Sequence, residues 1–129
     1  MYSVSTKVST GFDETIERVT EALKVEGFGV LSDIDVAKTL KAKLGVEEPP
    51  YRILGACNPQ YAHQALTAEP EIGVLLPCNV VVRQDADGDV EVMFMDPMTV
   101  LSLVDNPKVP ALAKDVRARL DRVLDSVKD

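Results

Sequence analysis

The sequence predicts an α+β two-layer sandwich, in which a mostly antiparallel sheet carries its helices on one face. Apolar residues that alternate as in a strand give way several times along the chain to apolar residues at helical spacing. The Asp87-Gly88 turn signal joins two such strands as a hairpin, which excludes a purely parallel sheet. The chain has 129 residues, 46% of them apolar, so we expect one domain over 1–129.

Three strands and two helices are predicted in the first part of the chain. Their order is a strand over 1–8, a helix from a capping box at Thr10-Gly11-Phe12-Asp13 to Gly27, a strand over 28–34, a short helix from Asp35 to Gly45, and a strand over 51–57. Side-chain oxygens at Thr10 and Asp35 suit helix starts, and the two glycines suit left-handed helix ends.

The rest of the chain is predicted to contain one more helix, a hairpin and the C-terminal helices. The order is a helix from Asn58-Pro59 to Ala68, a strand over 73–84 interrupted by Pro77, a returning strand with Val90, Val92 and Phe94, a short helix after Asp96-Pro97, and a final helix after Asn106-Pro107. Asn or Asp followed by proline is a typical helix start, because proline needs no N–H partner there.

The predicted strands are apolar on both faces. We assign to the main core the positions in phase with Tyr51, Ile53 and Cys57 on one strand and with Cys78, Val80 and Val82 on the next. Positions in the opposite phase are also apolar: Leu54, Ala56, Leu75, Val81, Met93 and Met95. A sheet that is apolar on both faces needs cover on both, so we expect a homodimer that buries part of the second face.

The charge balance is acidic, with 14 Lys and Arg against 21 Asp and Glu and a net charge of −7. Nonspecific binding to nucleic acid or an anionic membrane needs clustered cations, so we expect neither partner. Residues 1–8 alternate like a strand rather than forming the apolar block of a signal peptide. We therefore expect a cytoplasmic protein with both thiols reduced.

Four blocks of the sequence resemble the domain-of-unknown-function 302 family, and the resemblance extends over nearly the whole chain. These blocks are Gly27–Val36, Ile53–Pro59, Leu75–Val81 and Met95–Pro97. The resemblance implies a two-layer sandwich with a layout like that of the TATA-binding protein, and dimeric members. It implies no activity, and the likeness in fold is no reason to expect DNA binding.

Cys57 and Cys78 are the residues that most suggest chemistry. Each is followed by asparagine, and Cys57 directly precedes the helix start at Asn58-Pro59, where the helix dipole stabilises a thiolate. The alternative is that both are small buried residues of the core, which is the common fate of free cysteine. The spacing differs from that of a thioredoxin-type pair.

Other polar residues give weaker signals. Asn58, Asp96 and Asn106 are first explained as helix caps, whereas Asn79 stands in an apolar strand and needs partners or a wet cleft. His63 is predicted to face solvent. The acidic turn Asp85–Asp89 lacks the glutamate of a calcium loop, and Lys38, Lys41, Lys43 and Arg52 are expected to be solvated. We expect no metal and no cofactor.

Two functions remain open from the sequence. The first is a non-catalytic, dimeric module that binds a small polar or anionic ligand in a cleft near Cys57, Asn58, Cys78 and Asn79, closed by Asp96. The second is a thiol-dependent redox enzyme or sensor that uses Cys57 with Cys78. No complete catalytic constellation is present, which favours the binding module.

Overall fold

Five antiparallel strands form one open sheet in the part of the chain that the structure describes, residues 1–128 of a computed structural model. The strands are β1 (Ser3–Val8), β2 (Gly29–Asp35), β3 (Tyr51–Cys57), β4 (Cys78–Gln84) and β5 (Val90–Met95). They lie in the order β1-β5-β4-β3-β2, so the first strand pairs with the last. The predicted α+β class with a mostly antiparallel sheet is confirmed.

The helices pack against this sheet and beyond its end. They are α1 (Phe12–Val25), α2 (Val36–Leu44), α3 (Pro59–Ala68), α4 (Pro97–Val100) and α5 (Val109–Val127). Two short 3-10 turns span Pro70–Leu75 and Leu101–Leu103. Within residues 1–128, no helix combines the length and the apolar character needed to cross a membrane.

Several predicted helix boundaries are confirmed in detail. Asp35 accepts a hydrogen bond from the Lys38 N–H at 2.9 Å and so caps the start of α2. Gly45 ends α2 with a φ of +70°, and Gly27 follows α1 with a φ of +85°. Both glycines occupy the left-handed region, where a side chain would be strained.

The prediction of a capping box at Thr10 is wrong. The structure makes Gly11 the N-cap residue of α1, without a side-chain cap, and Phe12 begins the helix. The Thr10 hydroxyl instead lies 2.6 Å from the hydroxyl of Thr15, which also donates to the Gly11 carbonyl at 2.7 Å. Thr15 is fully buried, and these bonds satisfy its oxygen inside the core.

The predicted strand over 73–84 is wrong in its first part. Pro70–Leu75 forms a 3-10 turn, in which the Ile72 N–H donates to the Glu69 carbonyl at 3.0 Å. Pro70 sets the backbone angle at the start of this turn, and Pro77 has no N–H to donate to a sheet. The strand β4 therefore begins only at Cys78.

The apolar interior consists of two clusters. The main cluster joins α1 and α5 to one face of the sheet, here called the covered face, and includes Leu23, Leu54, Val80, Phe94 and Leu120. The second cluster lies beyond the end of the sheet and consists of Ala65, Ile72, Leu101, Val109 and Ala113, packed with Leu75, Leu76, Val104 and Leu112.

The predicted phase of β3 is wrong. Leu54 and Ala56, assigned to the second face, are each 1% exposed in the main cluster, whereas Ile53 is only half-buried on the other face. The register explains this, because Leu54 pairs with Val80 on β4 and follows it onto the covered face. For Cys78, Val80 and Val82 the predicted core phase is confirmed.

The other face of the sheet, here called the open face, carries an apolar row across four strands. Ile34 pairs with Ile53, Ile53 with Val81, and Val81 with Met93. No residue of this row is buried, and Ile34 is 50% exposed. This apolar row therefore has no covering layer within residues 1–128.

Candidate functional site

A cavity of about 430 Å³ lies where the main cluster meets the second cluster. Because both cysteines line it, we call it the cysteine cavity. The main cluster contributes Phe28, Ala56, Cys78 and Val116 to its wall, and the second cluster contributes Ala65, Ile72, Leu101 and Leu112. Its size falls in the range of roughly 300–1,000 Å³ that is typical of small-molecule sites.

The cavity has an exposed end and a buried end. Leu31 and Leu66, which line it, are 72% and 41% exposed, and Ser32 beside Leu31 is exposed as well. Ile72 and Leu101, also in the wall, are 2% and 7% exposed. The mouth therefore lies at β2 and α3, and the bottom lies in the second cluster.

Asn58 links the end of β3 to the start of α3 at one side of the cavity. Its Oδ1 accepts from the Gln60 N–H at 3.2 Å, and its Nδ2 donates to the Glu26 carbonyl at 3.3 Å. A Cβ on Gly27 would lie 3.0 Å from that Nδ2, so a glycine leaves room for the amide. Asn58 is confirmed as a cap, and its own oxygen takes the place at the α3 N-terminus that an anion would need.

Cys57 and Cys78 are brought together at the sheet end of the cavity, and both are free thiols. Cys78 pairs in the sheet with Ala56, the residue before Cys57. Burial, and secondarily the nearby Cys57 thiol, raise the pKa of Cys78 to about 11. Cys78 is therefore a protonated thiol at neutral pH, while the half-buried Cys57 lies nearer to solvent.

Tyr61 forms part of the wall and was not predicted as a site residue. Its hydroxyl accepts from Arg119 Nε at 3.2 Å, and its ring centroid lies 5.4 Å from the Arg119 guanidinium carbon. Arg119 also donates to the Glu26 carbonyl at 3.0 Å. These contacts join α3, α5 and the end of α1 behind the cavity, and they use the Tyr61 hydroxyl oxygen as an acceptor.

Two predicted ligand residues, Asn79 and Asp96, do not line the cavity. Asn79 is exposed on β4, where it pairs with Gly55. The Asp96 carboxylate accepts from the Met98 N–H at 2.9 Å, which confirms it as the α4 cap, and lies 3.0 Å from an Arg117 nitrogen. Asp96 therefore stabilises the junction between β5, α4 and α5.

The titration of Asp96 reflects this structural role. Burial by itself would raise the pKa of Asp96, but the Met98 N–H, the Thr99 hydroxyl and the Arg117 guanidinium together outweigh it and lower the pKa. The carboxylate is thus held in its charged form by partners within the protein.

The remaining polar candidates lie outside the cavity. His63 is exposed on α3, as predicted, and Lys41 pairs with Glu47 at 2.9 Å near the solvent. Asp85 accepts the N–H groups of Asp87 and Asp89, each at 3.0 Å, and so shapes the β4–β5 turn. Among residues 1–128, no three His, Cys, Asp or Glu side chains are grouped to hold a metal.

Most of the cavity wall was missed from the sequence. It comes from Tyr61, Ala62 and Leu66 of α3 and from apolar residues around the Pro70–Leu75 turn. The apolar stripe of Ala62, Ala65 and Leu66 was a signal of burial, but such a stripe is equally typical of an ordinary core helix.

A family model, the domain of unknown function DUF302, matches residues 4–127. The chain belongs to this family. It is also similar to the crystal structure of an uncharacterised conserved DUF302 protein from Bacillus stearothermophilus, with 37% sequence identity, a TM-score of 0.92 and 99% of each chain covered. No curated protein matches the chain. Neither description names an activity, so the function has to be inferred from the cysteine cavity itself.

Proposed function

We propose that this protein is a non-catalytic module that binds a small ligand in the cysteine cavity. The observation that carries the proposal is a cavity of about 430 Å³ with a solvent-exposed mouth at Leu31 and a buried bottom at Ile72. A concave, mostly apolar pocket of this size with a few polar groups in its wall is typical of small-molecule sites. The wall holds Cys57, Asn58 and Cys78 but no complete catalytic set.

A thermal-shift screen tests this function. A ligand that binds only the folded state raises the melting temperature, so we expect stabilising compounds from a panel of neutral polar, charged and apolar small molecules. Ala62→Leu places extra carbon atoms in the wall and should abolish the shift. Ala118→Leu, on an exposed part of α5, is the matched control and should retain it.

A second control separates the cavity from the cleft predicted by the sequence. Asn79 lies on the open face outside the cavity, so Asn79→Ala should keep the ligand-induced shift. A panel in which no compound stabilises the wild-type protein would contradict the proposed function. Equal shifts in the wild type and in Ala62→Leu would place the ligand elsewhere.

We further propose that the module is a homodimer joined through the open face. The apolar row of Ile34, Ile53, Val81 and Met93 lacks cover within residues 1–128. The charges beside this row are paired within the chain, as Arg83 is with Glu91 at 2.9 Å. Locally neutral surfaces can meet about a twofold axis despite the net charge of −7.

Light scattering tests the dimer. We expect a mass of twice 14.0 kDa for the wild type at micromolar concentration and a monomer mass for Val81→Glu, since the new carboxylate would be buried without a partner. Leu44→Glu, on the exposed surface of α2, is the matched control and should stay dimeric. A monomeric wild type would contradict the proposal, and a dimeric Val81→Glu would move the interface away from the open face.

A thiol-dependent redox sensor or enzyme is the second candidate function, because Cys57 and Cys78 line the same cavity. The raised pKa of Cys78 works against it, since Cys78 yields little thiolate at neutral pH. We expect Cys57 to react with an alkylating agent no faster than free cysteine, and mild hydrogen peroxide to leave both thiols reduced. A Cys57–Cys78 disulfide found by mass spectrometry would favour the redox function instead.

A further inference from the structure

We infer that the ligand of the cysteine cavity is an uncharged, elongated hydrocarbon molecule with a single polar end, bound with that end beside Ser32 and Cys57. The inference rests on the proposed function and names the chemical class of its ligand. It also departs from the polar or anionic ligand that the sequence suggested.

The first support is the absence of charge in the wall. The ionisable groups that line the cavity are Cys57, Cys78 and Tyr61, and no Asp, Glu, Lys, Arg or His of residues 1–128 is among the lining residues. A charged ligand would thus meet no counter-ion: in the interior it would lose its water without compensation, and beside the half-buried Cys57 it would lose part of it. The raised pKa of Cys78 reports the same penalty on a charge that belongs to the protein.

The second support is that the wall has few polar groups and that those of Asn58 and Tyr61 are bonded within the protein. Asn58 bonds to Gln60 and Glu26, and the Tyr61 hydroxyl bonds to Arg119. Across residues 1–128, every fully buried side-chain nitrogen and oxygen has a hydrogen-bond partner. A polar ligand would find few hydrogen-bond partners in the interior of this cavity, whereas an apolar one gives up no hydrogen bonds by entering it.

The third support is the direction of the cavity. At the sheet, β2 and β3 contribute two groups that can bond a polar atom, the Ser32 hydroxyl and the Cys57 thiol. Ile72, Leu101 and Leu112 line the part of the wall that belongs to the second cluster, and this part is entirely apolar. A molecule with one polar end is therefore oriented with its chain toward the second cluster.

A homologous series of linear alcohols, from butanol to dodecanol, tests the inference on the intact protein. Occupancy is measured as protection of Cys57 from alkylation by N-ethylmaleimide, with Cys57→Ser identifying the labelled thiol. We expect the Kd to fall about fourfold for each added methylene until the cavity is full and then to level off. The carboxylic acid of equal chain length should bind at least roughly tenfold more weakly at neutral pH.

Ala65→Val probes the buried end, because Ala65 belongs to the second cluster and lines the cavity. The extra methyl groups should make the Kd level off at a shorter alcohol. If the valine variant does not fold, the milder Ala65→Ser takes its place, and we expect it to bind long alcohols more weakly. Chain-length dependence that both variants leave unchanged would overturn the assigned orientation.

The outcomes separate this inference from the proposed function. If acids or other charged compounds bind as tightly as the alcohols, the inference is overturned and the binding function stands. If affinity does not vary with chain length, the hydrocarbon class is overturned. If no compound protects Cys57 and none stabilises the wild type in the thermal-shift panel, both are overturned.

Discussion

The two faces of the sheet differ sharply although they are built from alternate residues of the same strands. On β5, Phe94 is 2% exposed on the covered face while its neighbour Met93 is half-buried on the open face. On β4, Val80 and Val82 are at most 1% exposed and Val81 between them is not buried. The covered face is completed by α1 and α5 of the same chain. The open face carries an apolar row beside polar residues such as Asn79 and Arg83, and within residues 1–128 it lacks such a layer.

The largest expected effect contrasts neighbouring residues on the two faces. Phe94→Ala should lower the free energy of unfolding by about 3–5 kcal/mol, because it leaves a cavity among α1, α5 and the sheet. In the monomeric Val81→Glu background, Met93→Ala should cost less than about 1 kcal/mol, since there it removes a side chain that is partly in water. Urea denaturation at one fixed protein concentration measures both. Similar losses would mean that the open face contributes to the fold as much as the covered face does.

A smaller effect is expected where the open face is closed locally. Gly55 lies on this face beneath the side chains of Ser32 and Pro77, and an added Cβ would overlap Ser32 and come within 2.9 Å of Pro77 Cγ. Gly55→Ala should therefore cost about 1–3 kcal/mol by overpacking. Gly29→Ala is the control, because its Cβ would have no heavy atom within 4 Å. Equal melting temperatures for the two variants would show that this part of the face is as open as the rest.

The smallest effect concerns the charged junction that attaches α5 to the edge of the covered face. The lowered pKa of Asp96 means that its stabilising contribution is present above the unfolded-state pKa of about 3.9 and is lost as the pH falls through the lower folded-state pKa. Asp96→Asn keeps a helix cap but removes the charge facing Arg117, so we expect a loss of about 1–2 kcal/mol at neutral pH.

The same variant should show a flatter decline of stability below about pH 4, because it no longer has this carboxylate to protonate. Asp121→Asn is the control: Asp121 bonds to the same arginine but is more exposed, and its removal should cost little. Matching acid-denaturation curves for wild type and Asp96→Asn would contradict the stabilising role assigned to the Asp96 carboxylate.

Local rules predicted most of the fold from the sequence. Strand β3 has the predicted bounds, and Asp35, Asn58 and Asp96 all cap helices, because a cap is decided by a few adjacent residues. Such local rules could not decide which alternate residues of β3 face the core, because both of its faces are apolar. Only the pairing with β4 selects Leu54 for the covered face. The same limit applies to the stretch before β4, where an apolar run fits a strand and a 3-10 turn alike.

The candidate site was predictable only in part. The pairing of β3 with β4 brings Cys57 and Cys78 to one cavity, as the sequence suggested without proof. Asp96 was grouped with them as a further capping residue at a strand end that would close the cleft, yet it caps a different helix and faces Arg117. The cavity is formed by residues of several elements. These residues have no common sequence pattern beyond being apolar, so no motif predicts the cavity.

The strand order also constrains how the chain folds. β4 pairs with β5 across the short turn at Asp85–Asp89, and β3 pairs with β4 across α3 and the Pro70–Leu75 turn, so both contacts join strands that are consecutive in sequence. β1 can pair only with β5, near the other end of the chain, and α1 packs on α5. The pairing of β1 with β5 therefore closes the longest loop in the sheet, and during synthesis β1 can enter the sheet only after β5 has left the ribosome.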